Sequence, residues 1–132
     1  MTGPVTRDEA SAPFFDAALE GRLLARRCDD CGHWVAPYTR MGQVLERCPN
    51  CTSPRLSWAA ASGDATLVTW TVVHSREGPA RPVGVVELAE GPWMTVGIDA
   101  DPAALAAGEA LRAAFDRPGG GEPVPVFRPV AP

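Results

Sequence analysis

Apolar positions change their spacing three times along the chain, and each change marks a different kind of element. Residues 1 to 10 are polar and show no period. Phe14, Phe15, Ala18 and Leu19 then share one face at helical spacing, with Ser11 as N-cap, Pro13 in the first turn and Gly21 as the stop. This predicts a short amphipathic helix of about two to three turns. From Arg22 to Trp58 the apolar residues come in brief runs around polar knuckles. Leu23-Leu24 leads into the first knuckle and His33 to Pro37 leaves it, while Met41 to Arg47 enters the second and Leu56 to Trp58 leaves that.

Ala59 to Asp64 is small and polar and marks a boundary. Beyond it the runs are rich in β-branched and aromatic residues, which predicts strands at Thr66 to His74, Pro82 to Leu88 and Trp93 to Ile98. Glu90-Gly91-Pro92 reads as a tight hairpin turn, and Arg76 to Arg81 as a loop centred on Gly78-Pro79. Pro102 to Asp116 splits at Gly108 into a helical turn and a strand. Gly119-Gly120-Gly121 is a turn, and Pro123, Pro125 and Pro129 hold an extended tail around Val124, Val126 and Phe127. The fold class expected is mainly β: a helix over 1–21, a rubredoxin-like Cys₄ zinc ribbon over 22–60, and an OB-fold barrel with its tail over 61–132.

The ribbon assignment rests on cysteine. Cys28 and Cys31, then Cys48 and Cys51, are two C-x-x-C pairs, and the chain has no others among its 4 cysteines. Two tight turns can deliver four thiolates tetrahedrally to Zn²⁺ at about 2.3 Å each. Asp29-Asp30 with Gly32, and Pro49-Asn50, fit such turns. Two disulfides or a redox dithiol compete with the metal, but no apolar signal segment opens the chain and a redox C-x-x-C needs no second pair. His33 is a weaker ligand candidate and reads as a solvent-facing strand residue. A filled Cys₄ site has no open position for substrate, so the zinc is expected to be structural and not catalytic.

Charge narrows the function. Sixteen acidic residues against twelve basic give a net charge of −4, and every basic residue is arginine. Without lysine, imine chemistry on a carbonyl is excluded unless the α-amine serves. The basic footprint of a nucleic-acid binder is missing, and no apolar run reaches the roughly 18 residues needed to span a bilayer. The expectation is a cytoplasmic chain with no membrane or nucleic-acid partner. Half of a chain of 132 residues has little core of its own, so the metal would compensate for thin packing.

A helix with paired phenylalanines, a Cys₄ ribbon, and a barrel opening on TLVTWTVVH, passing through VVELAEGP and closing on VPVFRP together resemble the acyl-CoA-associated family of zinc-ribbon OB-fold proteins. The resemblance covers about residues 12 to 130. It implies a non-catalytic partner of thiolase-fold enzymes, either thiolases or lipid-transfer-protein-like aldolases that cleave side chains from steroid-CoA thioesters. It further implies a hetero-oligomer, structural Zn²⁺ on Cys28, Cys31, Cys48 and Cys51, and CoA or acyl-CoA handled through the complex. No catalytic residue carries over. In some relatives the subunit helps form a channel or CoA site shared with a neighbouring enzyme, so the resemblance also implies a contribution to CoA binding or channelling. The fused hydratase domain or longer tail of some relatives is not in this sequence, which counts against channelling by covalent tethering.

Individual residues offer less. Arg76, Arg81 and Arg40 are candidate contacts to CoA phosphates, because guanidinium groups clamp phosphate in a bidentate manner, though surface arginines are more often solvated or ion-paired. His74 is the one general-base candidate outside the ribbon, and it makes no recognisable triad with Ser75 or Glu77; a histidine bound to a loop is the plainer reading. Trp58, Trp70 and Trp93 read as core or interface aromatics. Phe14 and Phe15 serve either as an intramolecular staple or, with the proline-rich tail, as a docking surface. The alternative functions are a zinc-ribbon/OB nucleic-acid-binding module, whose binding would be salt-sensitive, and a stand-alone enzyme, which lacks a nucleophile and base.

Overall fold

The structure, a computed structural model, describes residues 5–39, 43–76 and 78–130. Helix α1 (Ala12–Leu19) forms where the helical spacing predicts it. It ends in a Schellman motif, in which the Gly21 N–H bonds Ala18 O and the Arg22 N–H bonds Ala17 O, both at 2.9 Å. Gly21 takes φ +76° there, a conformation that costs glycine little. At the other end the Ser11 side chain leaves the helix uncapped. It turns back to accept the Asp8 N–H at 3.0 Å, while Asp8 Oδ1 accepts the Ser11 N–H at 2.8 Å.

The helix face differs from the sequence reading in one residue. Leu19, expected on the buried face, is 54% exposed, and Ala17 is buried beside Phe14, Phe15 and Ala18. The two phenylalanine rings, 3% and 8% exposed, sit in the same core as the barrel residues Leu67, Leu111 and Phe127. The intramolecular staple is therefore the outcome, and these rings are not available as a docking surface.

Strands β1 (Leu24–Cys28), β2 (Trp34–Val35) and β3 (Leu56–Ala60) form an antiparallel sheet in the order β2-β1-β3. The expected run from Met41 lies partly outside the described residues, and Gln43 to Arg47 is irregular. After Ala61 to Gly63 the chain enters a closed five-stranded barrel. Its strands are β4 (Asp64–Ser75), β5 (Gly78–Leu88), β6 (Trp93–Ile98), β7 (Ala110–Asp116) and β8 (Val124–Pro129), ordered β4-β5-β6-β8-β7. All neighbours are antiparallel except β6 and β8. Closure removes the sheet edges around the barrel itself, leaving them only where β4 and β5 run past their outer neighbours.

Inward residues alternate along the barrel strands, as in β6, where Met94, Val96 and Ile98 are buried and Trp93 and Thr95 are exposed. Gly84 is required by a close approach: a Cβ at that position would stand 2.9 Å from Thr69 O and 3.2 Å from the Leu67 side chain. The turn between β5 and β6 is the expected one, closed by a 2.8 Å bond from the Gly91 N–H to Leu88 O with Gly91 at φ +117°.

One reading of the C-terminal half needs correction. The stretch read as a loop from Arg76 to Arg81 is strand from Gly78 onward. Glycine and proline there punctuate a tight reversal instead of ending the ladder, and a strand with one unpaired edge tolerates proline. The proline-rich tail closes the barrel, as the resemblance through VPVFRP implies, with Phe127 fully buried between β6 and β7. Pro125 and Pro129 lie outside Val126 and Phe127, the segment paired on both sides, so their missing N–H groups break no doubly bonded position. Among the described residues no helix is long and apolar enough to cross a membrane.

Candidate metal centre

The two knuckles are near copies of each other. In the first, the Cys28 N–H bonds His33 O and the Gly32 N–H bonds Cys28 O, each at 2.9 Å. In the second, the Cys48 N–H bonds Ser53 O at 2.9 Å and the Thr52 N–H bonds Cys48 O at 2.8 Å. Each places a left-handed residue directly after its second cysteine: Gly32 at φ +76° and Thr52 at φ +65°. Thr52 is the sole described non-glycine with positive φ, and for a β-branched residue that conformation is strained. The knuckle thus holds a costly backbone at the second metal-facing turn.

The four thiol sulfurs lie within 4.8 Å of one another. Cys28 and Cys51 Sγ are 3.5 Å apart, and Cys31 and Cys48 Sγ are 3.7 Å apart. A tetrahedron with bonds of about 2.3 Å has edges near 3.8 Å, so these separations fit a shared Zn²⁺. They are far longer than the roughly 2.05 Å of a disulfide, and all four cysteines are free. Cys28 and Cys48 are buried while Cys31 and Cys51 are exposed, so one side of the cluster faces solvent. His33 stands outside the cluster, exposed.

Hydrogen bonds to sulfur order the ligands. Asn50 donates its side-chain N–H to Cys31 Sγ at 3.5 Å and its backbone N–H to Cys48 Sγ at 3.4 Å. The first of these, with the His33 backbone N–H, pulls the Cys31 thiol down to about 6. Cys51 moves the opposite way, to about 12, because Cys28, burial and the remaining thiols outweigh the lowering bond from Ser53. Four crowded thiols cannot all ionise unaided; a bound dication is what lets them, in exchange for their protons.

Around the thiols the chain places arginine. Arg55 pairs with Asp30, which also accepts the Ser53 hydroxyl, and the pair holds the Asp30 carboxyl below the usual range, with Arg55 the larger cause. Ser57 Oγ donates to Asp29 at 2.7 Å, and Arg47 donates to Thr52 O at 3.1 Å. Arg26 crosses from β1 to bond Leu56 O at 2.8 Å while stacking 4.6 Å from the Trp58 ring. A Zn²⁺ with four thiolates would be a dianion, and Arg55, which feels Cys28 as well as its partner Asp30, would offset part of that charge. Sequence spacing singled out the four cysteines that the structure brings together, and placed Asp30 and Asn50 in the knuckle turns. It gave no sign of the Asn50–sulfur bonds or of the Asp30–Arg55 pair, which depend on contacts across the ribbon.

The remaining candidates are dispersed. Trp58 and Trp70 pack partly against the core, whereas Trp93 is 58% exposed and donates Nε1–H to Glu87 at 2.9 Å. His74 is exposed and makes no hydrogen bond to the described residues, and Glu77 of the adjoining loop lies outside them. Arg76 and Arg81 are exposed on β4–β5, and Arg40 lies outside the described residues. A cleft of about 410 Å³ separates the first knuckle from the β5–β6 turn, lined by Trp34, Pro49, Glu90 and Trp93 among others.

Comparison with known proteins agrees with this geometry. Residues 15–37 match the ChsH2 rubredoxin-like zinc ribbon domain, and residues 58–116 match the ChsH2 C-terminal OB-fold domain. Among solved structures, a chain of the Ltp2–ChsH2(DUF35) aldolase superposes with a TM-score of 0.78 at 24% identity, covering 96% of this chain and 99% of that one. A DUF35-family protein of unknown function from Sulfolobus solfataricus superposes with a TM-score of 0.63 at 12% identity, covering 92% of this chain and 86% of its own. No curated protein matches. The zinc-ribbon match and the four-cysteine cluster together support a structural zinc. Matched in order by both ChsH2 domains over more than half its length, the chain belongs to the ChsH2-type zinc-ribbon and OB-fold family.

Proposed function

We propose that this chain is a non-catalytic accessory subunit of a lipid-transfer-protein-like, thiolase-fold enzyme that acts on acyl-CoA thioesters in the cytosol. The observation that carries the reading is the mutual coverage with the aldolase chain: 96% of this chain against 99% of that one, with ribbon and barrel in the same order. Of the two reactions open to such an enzyme, that relative favours retro-aldol cleavage over thiolysis. The three segments expected over 1–21, 22–60 and 61–132 act as one docking body, with α1, the ribbon and the barrel held together by the Phe14–Tyr38 and Phe14–Trp58 contacts.

Within that body Cys28, Cys31, Cys48 and Cys51 hold the zinc. With all four positions thiolate, the ion supplies cross-linking and no reactive site. The chain's own work is to present a rigid surface to the enzyme, and the thioester chemistry belongs to the enzyme. The test is co-expression with the lipid-transfer-protein-like enzyme of the same genome, followed by light scattering on the eluted complex and assay of a β-hydroxyacyl-CoA. The reading predicts co-elution in fixed ratio and retro-aldol activity that needs both chains. An enzyme fully active alone, with this chain eluting separately, overturns it.

A further inference from the structure

Strands β4 and β5 outrun the barrel. Strand β7 pairs with β4 only from Asp64 to Thr66, and β6 pairs with β5 only from Val83 to Glu87. Past those points the two strands have only each other, through Val72↔Pro82, Val73↔Arg81 and Ser75↔Gly78. From Gly78 to Val83 the rise makes a projecting arm of roughly 16 Å. Two-stranded ribbons are marginal in water unless something packs on them, and here Val73 is 46% exposed.

The two edges of the arm are unlike. On β5, Pro79 and Pro82 supply no N–H, a common protection of an open edge. The outer edge of β4 reads Thr69-Trp70-Thr71-Val72-Val73-His74, β-branched and aromatic, without proline, lysine or carboxylate. Among the described residues nothing pairs with it. Such an edge is a template for an added strand.

Charge at the arm's free end says what the strand carries. Every other described arginine pairs with a carboxylate or donates to a backbone carbonyl. Arg76 and Arg81 alone have no partner among the described residues, in a chain whose net charge is −4. We propose that an extended, acidic segment of the partner enzyme adds to the β4 edge between Thr69 and His74, its carboxylates meeting Arg76 and Arg81. A second copy fits less well, because its own edge has no acidic residue between Leu67 and His74. The inference rests on the accessory-subunit reading and names the surface through which it works.

The experiment uses the co-expressed complex with the lipid-transfer-protein-like enzyme. Amide exchange at residues 69–74 is expected to slow at least tenfold on complex formation. The double variant R76E/R81E, which touches no core residue and keeps the wild-type melting temperature, is expected to associate at least tenfold more slowly, with a flatter salt dependence. A complex that forms with unchanged exchange in the arm and with wild-type affinity for the double variant overturns the inference and leaves the accessory role standing. Absence of any complex removes both. Self-association of the isolated chain that protects the same amides assigns the edge to a second copy. Binding of CoA to the isolated chain, lost in R76E/R81E, assigns the guanidiniums to phosphate. Either of these results overturns acidic-strand docking.

Discussion

Replacing Phe14 with alanine tests whether α1 is a staple. The ring is 3% exposed and meets Phe15 edge-on at 5.3 Å and 84°, Tyr38 edge-on at 5.8 Å and 88°, and Trp58 at 6.1 Å and 42°. Burial of these rings pushes the Tyr38 phenol well above its ordinary value. Removing a buried phenylalanine costs about 3–5 kcal/mol, of which each edge-on pair accounts for about 0.5–1.5 kcal/mol. Against a total stability of about 5–15 kcal/mol, that is a large share. At roughly 4 °C per kcal/mol, the melting temperature of the zinc-loaded protein should fall by about 12–20 °C. Leu19→Ala, at a position 54% exposed on the same helix, should change stability by less than about 0.5 kcal/mol. The assay is thermal unfolding by circular dichroism at fixed free zinc. Equal losses in the two variants, or a Phe14→Ala loss below about 1 kcal/mol, would refute the staple.

Four further outcomes are expected. Cys48→Ser should lose stoichiometric zinc and the ribbon's fold together, read by metal analysis and melting; retention of both would remove the structural role of the metal. Thr52→Gly should relieve the positive φ and raise stability by up to about 1 kcal/mol, and a loss would show that this backbone carries no strain. Gly84→Ala should cost about 1–3 kcal/mol, because its Cβ would press on Thr69 O at 2.9 Å, a backbone atom that cannot rotate away. Arg7 holds the Glu122 carboxyl below its ordinary value, so the pair stabilises the fold above that value and ceases to as pH falls through the lowered one. Melting curves between neutral and acidic pH should therefore show a shallower acid limb in Glu122→Gln; identical limbs would dismiss the linkage.

What the sequence makes legible is local. The cysteine spacing points to the four thiols that the fold gathers into one cluster because a metal's geometry restricts spacing, and the period change past Asp64 points to a barrel because strand alternation is written in adjacent residues. Contacts between distant segments are not written there. Arg7 meets Glu122 across 115 positions, and Asn50 reaches Cys31 across 19. The arm was hidden for a different reason, since Gly78 and Pro79 read as loop wherever strand pairing is unknown. Ala17 takes the place of Leu19 on the buried face because the helix packs against both the ribbon strand β1 and the barrel strand β8, a pairing of distant segments that sets its rotation.

The central claim is that this chain works as the accessory subunit of an enzyme complex, and isolation of that complex tests it most directly. Co-expressed with the lipid-transfer-protein-like enzyme, the chain should elute with it in a fixed ratio at moderate salt. The mass from light scattering should require both subunits, and retro-aldol cleavage of a β-hydroxyacyl-CoA should fall away when this chain is omitted. Separate elution of the two proteins, with the enzyme's rate unchanged by this chain, would contradict the account.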